Sequence, residues 1–307
     1  MRPGIVPGAS RIVPDQNMKT NPAGAVDAIG RTHGPARADA RIVSLVPSIT
    51  ELLFDLGVGD RLVGRTGFCI HPHGRIRTVP KVGGTKSVDI ERIRELSPTH
   101  LIVNIDENEK PAVDRLAGFV PNVVVTHPLG PLDNLALYRM LGRIFGGEDR
   151  AAELCEAFQK AYNDAVTACA DLPRERVLYL IWKSPWMTVS RDTYISRTLA
   201  AVGWDTAEAD GQERYPKIAL TPESLAKVDR IMLSSEPYTF RERHLDEIRQ
   251  LLASPGNLFV PTPIEEFDSP VKVSLIDGEM TSWYGSRAIA GMKYLSRLRT
   301  GEMPSRA

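Results

Sequence analysis

Residues 41–57 read RIVSLVPSITELLFDLG: a short apolar run, then a turn at Pro47-Ser48, then apolar residues at helical spacing that stop at Gly57. The pattern predicts a strand that turns sharply into a helix. Ser48 followed three residues later by Glu51 fits a capping box, in which hydroxyl and carboxylate satisfy free amides at the helix start. If the strand lies in a parallel sheet, the turn also sits where ligands bind, because the crevice beyond the carboxyl ends of the strands presents helix N-termini. The loops FCIHPHG, GGTKS and NIDENEK fall at the same end.

Working outward, the same rhythm repeats. DRLVGRTG reads as a strand, SVDIERIREL as a helix, THLIVN as a strand, PAVDRLAG as a helix and NVVVTH as a strand. Short apolar strands alternating with helices predict an α/β fold with a parallel-type sheet covered by helices. Residues 132–171 keep helical periodicity with one break at Gly146-Gly147, and EDRAAELCEAFQKAYNDAVTACADL predicts a helix about 35 Å long. After Pro173 the rhythm restarts. RVLYLIW is a strand, DTYISRTLAAVG a helix, TPESLAKV a helix capped by Thr221, and RIMLSS a strand. ERHLDEIRQLLAS is a helix, NLFVPT a strand, and SWYGSRAIAGMKYLSRL the closing helix. The expected organisation is a loosely attached or disordered leader over 1–40, a first lobe over 41–147, a connecting helix over 148–172, a second lobe over 173–300 and a tail over 301–307. Two lobes on one rigid connector open and close less than lobes joined by several flexible strands.

The 307 residues carry 38 basic and 38 acidic side chains, so no net field argues for nucleic acid or an anionic membrane surface. Apolar runs stay under ten residues, against about 20 needed to cross a bilayer. This predicts a soluble chain without membrane insertion. Residues 1–40 contain no apolar stretch of the kind a secretory signal requires. Cys69, Cys155 and Cys169 make an odd count, and the last two share one helix about 21 Å apart, too far to bridge.

DIERIRELSPTHLIV in the first half matches TPESLAKVDRIMLSS in the second: a helix with an acidic residue in its first turn, then a strand. Glu91 and Glu223 hold the matching places. The helix dipole alone explains one such residue, but the pairing suggests two docking points for basic pockets on a partner.

The ordered series RIVSLVPSITELLFDLGVGDRLVG (41–64), GFCIHP (67–72), VPKVGG (79–84), DIERIRELSPTHLIV (89–103) and RYPKIALTPESLAKVDRIMLSS (214–235) resembles the substrate-binding proteins of ABC importers for cobalamin and ferric siderophores, the helical-backbone metal receptors, with the cobalamin-binding branch looking most similar. The resemblance implies a class III periplasmic binding protein-like fold, ligand held between the lobes, and a Glu on each lobe docking to Arg pockets of an ABC permease dimer. Glu91 and Glu223 stand at those positions. By matched motif, the ligand-binding candidates are Pro47, Ser48, Phe68, Cys69, His71, Gly83, Gly84, Trp186, Tyr215 and Trp283, with Tyr284 beside the last. The Trp often seen near Gly83-Gly84 in that branch is missing. Flat aromatics suit a corrin or porphyrin, although ordinary core packing explains Trp204 and some of the others.

Cys69, His71 and His73 alternate along CIHPH, and an extended segment places them on one face. Imidazole and thiolate ligate zinc, iron and cobalt, so His71 is a candidate axial ligand of a bound metallocofactor. No GxSxG, HExxH or paired CxxC occurs, and GGTKS lacks the Gly-Lys of a phosphate loop, which argues against an enzyme. The expectation is a monomeric binding protein with no cofactor of its own, carrying a cobalamin-like metallocofactor to a permease. A ferric siderophore or heme binder, with Lys81, Lys86, Lys183 and Lys217 meeting an anionic chelate, is the alternative within the fold. The resemblance implies a periplasmic location. The lack of an export signal in this sequence leaves open a cytoplasmic corrinoid-binding relative not involved in transport.

Overall fold

In the computed structural model, which describes residues 24–207, 213–225, 227–253 and 271–302, the chain opens on a two-stranded hairpin, β1 (Ala25–Val26) and β2 (Thr32–His33). The expected loose leader is therefore corrected for residues 24–40, while 1–23 lie outside the described residues. The hairpin is tied down by its acid. Asp27 accepts the amides of Ile29, Arg31 and Val125 and meets His33 Nε2 at 2.9 Å, while Ala28 donates to the Val125 carbonyl. These bonds bind the leader to a sheet edge that the sequence rhythm alone does not reveal.

The first lobe carries a parallel sheet of β3 (Ile42–Ser44), β4 (Leu62–Arg65), β5 (His100–Asn104) and β6 (Asn122–Thr126) in the order β4-β3-β5-β6. The second carries β7 (Glu175–Leu180), β8 (Trp204–Thr206), β9 (Arg230–Ser234) and β10 (Lys272–Ile276) in the order β8-β7-β9-β10, also parallel. First strand central, second on one side, third and fourth on the other: the two lobes have one topology. Neither β8, only three residues long, nor β10, whose apolar run is broken by Lys272 and Ser274, was expected from the sequence. The expected strand at NLFVPT lies outside the described residues.

The first-lobe helices are α1 (Pro47–Asp55), α2 (Ile90–Glu95), α3 (Lys110–Ala117) and α4 (Asp133–Phe145). Pro47 occupies the first turn of α1, whose cap residue Val46 makes no side-chain cap bond. Ser48 is thus already inside the helix and buried, and the Glu51 carboxylate is taken by Arg287. The expected capping box does not form. α2 is capped by Asp89, whose carboxylate accepts the Arg92 amide at 3.0 Å.

The connector is α5 (Glu148–Cys169), 22 residues, about 33 Å at 1.5 Å per residue. It starts two residues after Gly146, the C-cap of α4, whose φ of 75° allows the left-handed turn. Ala151, Cys155, Phe158, Ala161, Ala165 and Cys169 recur three and four apart and are its buried residues. They belong to a hydrophobic core that runs from Ile42 and Leu52 in the first lobe, through Tyr138 and Phe158, to Tyr179, Trp204 and Met292 in the second. Separate smaller cores fill the outer side of each sheet.

The second-lobe helices are α6 (Tyr194–Ala201), α7 (Pro222–Leu225), α8 (Glu242–Ala253), α9 (Gly278–Ser282) and α10 (Arg287–Arg299). Thr221 accepts the Ser224 amide at the start of α7, as expected of a cap. The closing helix is in fact two. Asp277 caps α9, and Trp283, Tyr284 and Gly285 form a link before α10, so the two aromatic side chains project from a bend instead of a helical face. Gly285 has a φ of 82° there, and a Cβ on it would lie 3.1 Å from the Ser48 carbonyl.

Candidate functional site

Across the lobes, the loop after β4 bonds α9 and the loop after β5 bonds the Trp283–Gly285 link, to which the loop after β9 is tied within the second lobe. This brings the carboxyl ends of both sheets to one cleft, the place where parallel sheets hold ligands. In its middle, the Tyr284 hydroxyl donates to Glu107 Oε1 at 2.5 Å. Beside it the Trp283 indole donates to Glu236 Oε1 at 2.6 Å, and the Ser282 hydroxyl donates to the same oxygen at 2.8 Å. At one end Arg287 forks onto Glu51 at 2.8 and 2.6 Å and reaches Glu279 at 3.1 Å, and His71 Nε2 stands 3.0 Å from Glu279 Oε2. At the other end Arg214 donates to Asp106 at 2.8 Å, joined by the Tyr215 hydroxyl at 3.4 Å and His127 at 3.5 Å.

The electrostatics follow from this enclosure. Burial, with added repulsion from Glu236 and Asp106, pushes the Glu107 carboxyl up to about 7 against the opposing bond from Tyr284. Burial likewise raises Glu236, its bonds to Ser282 and Trp283 offsetting part of the shift while Glu279 and Asp277 add to it. The loops at the same ends of the strands also carry side chains of the opposite character. Phe68, Ile70, Ile105 and Trp182 follow strands β4, β5 and β7 and are 62%, 44%, 47% and 40% exposed. Large apolar groups left in water at one crevice mark a binding surface.

The sequence-predicted residues divide here. Pro47 and Ser48 start α1, which approaches the link at Gly285. Phe68 stands on the rim, and a Cβ on Gly84 would lie 3.3 Å from its ring. Gly83 has a φ of 96°, and a Cβ there would meet the Ser87 carbonyl at 2.4 Å, so the loop closes only with glycine. His71, Tyr215 and Trp283 are all in the floor network. Trp186 instead stacks on Phe240 with centroids 6.0 Å apart and the Lys183 ammonium 5.5 Å from its ring, which attaches it to the second-lobe core. Trp204 is a core residue, as expected, with 1% exposure.

Cys69 is a correction. Its side chain is fully buried between the Thr50 and Thr66 hydroxyls at 3.1 and 3.2 Å, and burial raises its thiol. The segment turns instead of running extended, so Cys69 points inward while His71 and His73 pair their rings at 4.4 Å. Cys69 has no surface to offer a ligand. Among the described residues no cluster of three or more His, Cys, Asp or Glu side chains is arranged to hold a metal. The lysines Lys81, Lys86 and Lys217 are exposed and make no contact with the floor network among the described residues, and Lys183 is paired with Glu247. Glu91 lies exposed on α2 against Arg94, and the Glu223 side chain lies outside the described residues.

Sequence reading missed Asp106, Glu107, Glu236, Glu279, Arg214 and Arg287. NIDENEK was placed at the cleft end, which carried the first two, but nothing in SSEPYTF or DGEMTS distinguishes a cleft acid from a surface one.

A family model described as periplasmic binding protein matches residues 42–250. The chain belongs to the periplasmic binding protein family. A vitamin B12-binding protein of Yersinia pestis (strain Pestoides F) is 25% identical over 191 residues, covering 60% of this chain and 66% of its own length, so the match spans just under two thirds of that relative. Among solved structures, the periplasmic vitamin B12-binding protein BtuF of Vibrio cholerae superposes with a TM-score of 0.68 at 17% identity, over 84% of this chain and 96% of its own. The periplasmic heme-binding protein RhuT from Roseiflexus sp. RS-1 gives 0.67 at 22% identity, over 85% and 98%. At these identities the superpositions establish the two-lobed fold of this periplasmic binding protein. Among its described residues no helix is long and apolar enough to cross a membrane.

Proposed function

We propose that this periplasmic binding protein captures a cobalamin-like metallocofactor in the interlobe cleft and delivers it to an ABC permease. The observation that carries the reading is the rim of Phe68, Ile70, Ile105 and Trp182 over a floor of hydrogen-bonding groups from both lobes. Such a cleft matches a broad, flat ligand with apolar faces and a polar edge. The Yersinia relatives named for vitamin B12 binding support the same choice. The solved heme-binding relatives keep heme or a ferric siderophore as the second reading, although the lysines that would meet such an anion stand outside the floor network. In this reading His71, which stands at Glu279 and edge-on to Trp283 at 5.5 Å, is the axial ligand of the metal in a bound cofactor. Glu91 and Glu223 are the docking points for the permease dimer, and the protein works as a monomer outside the cytoplasmic membrane.

Titration of the protein with cyanocobalamin and aquocobalamin, followed by visible spectrum and calorimetry, tests the reading. One-to-one binding is the expected outcome, with a shift of the aquocobalamin bands that is lost in His71→Ala. Absence of binding at high micromolar concentration sinks the cobalamin reading and turns attention to heme and ferric chelates.

A further inference from the structure

The carboxylates of the cleft floor are not all treated alike. Glu51 and Glu279 share Arg287, Glu279 also has His71, and Asp106 has Arg214. Among the described residues no cation is paired with Glu107 or with Glu236. Both are desolvated by the cleft walls, and a desolvated carboxylate without a cation or a full set of donors is costly. Each uses one oxygen, Oε1, in its bonds to Tyr284 or to Trp283 and Ser282. A carboxylate has about four lone-pair sites, and among the described residues no donor meets Oε2 of either. Glu107 comes from the first lobe and Glu236 from the second, which makes the pair complete only where the lobes meet.

A second, uncharged group stands at the same place. The Ser48 hydroxyl, in a residue 3% exposed, stands beside the Tyr284 hydroxyl, which itself donates to Glu107. Buried polar groups are ordinarily satisfied, so two cation-free carboxyl groups around Tyr284 and Trp283, beside exposed apolar side chains, mark one position for a polar ligand edge.

We propose that Glu107 and Glu236 form a two-lobe acceptor pair that binds amide or ammonium donors on the edge of the ligand and turns away ligands presenting carboxylates there. The proposal rests on the reading of the cleft as the ligand site and narrows its substrate class. A primary amide or ammonium donates to Oε2 of each glutamate. A propionate or other acid edge meets like charge, and enters only if protons are taken up.

The groups facing the pair set a proton signature. Glu107 faces Tyr284, Asp106 and Glu236, with Arg214 and His127 behind Asp106. Glu236 faces Trp283, Ser282, Asp277 and Glu279, with His71 and Arg287 behind Glu279. Burial and mutual repulsion hold Glu107 up to about 7, so near neutral pH the empty cleft carries part of a proton there. A donor ligand favours the ionised form and releases that proton, and its affinity rises as pH rises through 7. An acid ligand requires uptake, and its affinity falls over the same range.

The test uses the full chain and pairs of probes that differ only at the edge: dicyanocobyrinic acid against its heptaamide, and heme against heme with both propionates converted to amides. Calorimetry in buffers of different ionisation enthalpy reads affinity and proton exchange together. The amide form of whichever macrocycle binds is expected to bind at least about tenfold more tightly, the scale of one charge-assisted hydrogen bond, with proton release. In the volume-conserving double variant Glu107→Gln, Glu236→Gln the amide-to-acid ratio is expected to fall toward one, in protein whose melting and circular dichroism show that it is folded. Should that variant not fold, the wild-type ratio and the direction of proton exchange decide. Equal or tighter binding of the acid form, or an unchanged ratio in the folded variant, overturns the acceptor pair. Failure of both corrinoids alongside a preference for amidated heme removes the cobalamin reading and leaves the pair standing. Failure of all four probes removes both.

Discussion

Below the first-lobe sheet the central strand β3 is preceded by Arg41, whose guanidinium donates twice to the Leu96 carbonyl, at 3.1 and 2.7 Å. At the matching start of β7 in the second lobe stands Glu175. Its carboxylate accepts Trp204 Nε1 at 2.8 Å, Arg230 at 3.0 Å, Lys272 at 3.1 Å and Arg299 at 3.2 Å. One strand order thus rests on two different polar foundations. The first lobe distributes the task, with Arg41 under the sheet and the Asp27 hairpin along its β6 edge. The second concentrates it in one carboxylate tying β7, β8, β9, β10 and α10 together. Topology is set by hydrophobic strands and their crossovers, and it leaves the polar perimeter free to differ.

The sharpest way to break this comparison is to remove the concentrated foundation. Glu175→Ala leaves Arg230 and Arg299, 14% and 6% exposed, without their anion. Breaking a buried pair by deleting one partner costs about 3–5 kcal/mol, and chemical denaturation is expected to show that loss. A change under about 1 kcal/mol means that the three cations have other partners and the concentrated arrangement is only apparent. The pH dependence has a defined sign. Burial alone would raise the Glu175 carboxyl, but its bonds to Arg230, Trp204 and Lys272 outweigh burial and bring it down to about 2 from 4.5. Its contribution is present above 4.5 and is lost as pH falls from there through 2.

The distributed foundation is expected to be weaker. Asp27→Ala removes the acceptor of three backbone amides and of His33, at a cost of about 2–3 kcal/mol. Hydrogen exchange is expected to speed up at Ile29, Arg31 and Val125 with little change in the second lobe. Exchange that accelerates equally in both lobes would show that the hairpin supports the whole molecule. Burial would raise the Asp27 carboxyl, yet its bonds to His33 and the three amides place it below the ordinary value. This contribution too is present at and above the ordinary carboxylate range and fades as pH falls below it.

The same contrast explains what the sequence made legible. Apolar strands, a helix-forming run of more than twenty residues and an internal match between DIERIRELSPTHLIV and TPESLAKVDRIMLSS were enough for two α/β lobes on one helix, because each is a local, periodic signal. β8 and β10 escaped because WDT is short and KVSLI is interrupted by polar residues. The Ser48–Glu51 pair had capping-box spacing, but Pro47 begins the helix and Arg287, 236 residues away along the chain, claims the glutamate. Cys69 alternates with His71 in sequence, and the turn after Gly67 sends it inward instead. Cleft contacts such as Glu107 with Tyr284 join residues 177 apart. No spacing rule reaches that far, so the aromatic members were found by type and the acidic ones were not.

Between the lobes, the contact most open to a double-mutant test is the Arg287 fork on Glu51. Arg287→Lys keeps the charge but loses the planar two-bond geometry, with an expected cost of about 1–2 kcal/mol and a coupling to Glu51→Gln of similar size. Additive effects would mean that the fork joins the lobes by proximity without contributing to their closure.

The smallest stability effect is expected where the functional claim is largest. Glu91 lies in the first turn of α2 with its side chain 73% exposed, and its one pairing, to Arg94 at 3.2 Å, spans three residues of the same helix. Removing an exposed pair of this kind changes stability by no more than about 0.5 kcal/mol, so Glu91→Ala is expected to melt like the parent protein and to bind ligand unchanged. If Glu91 and Glu223 are the two docking points, each single alanine variant lowers stimulation of the permease's ATPase in reconstituted vesicles, and the double variant abolishes it. Stimulation that survives the double variant would leave these acids with only their helix-dipole role, and the resemblance between the two lobes would then extend to topology but not to the partner surface.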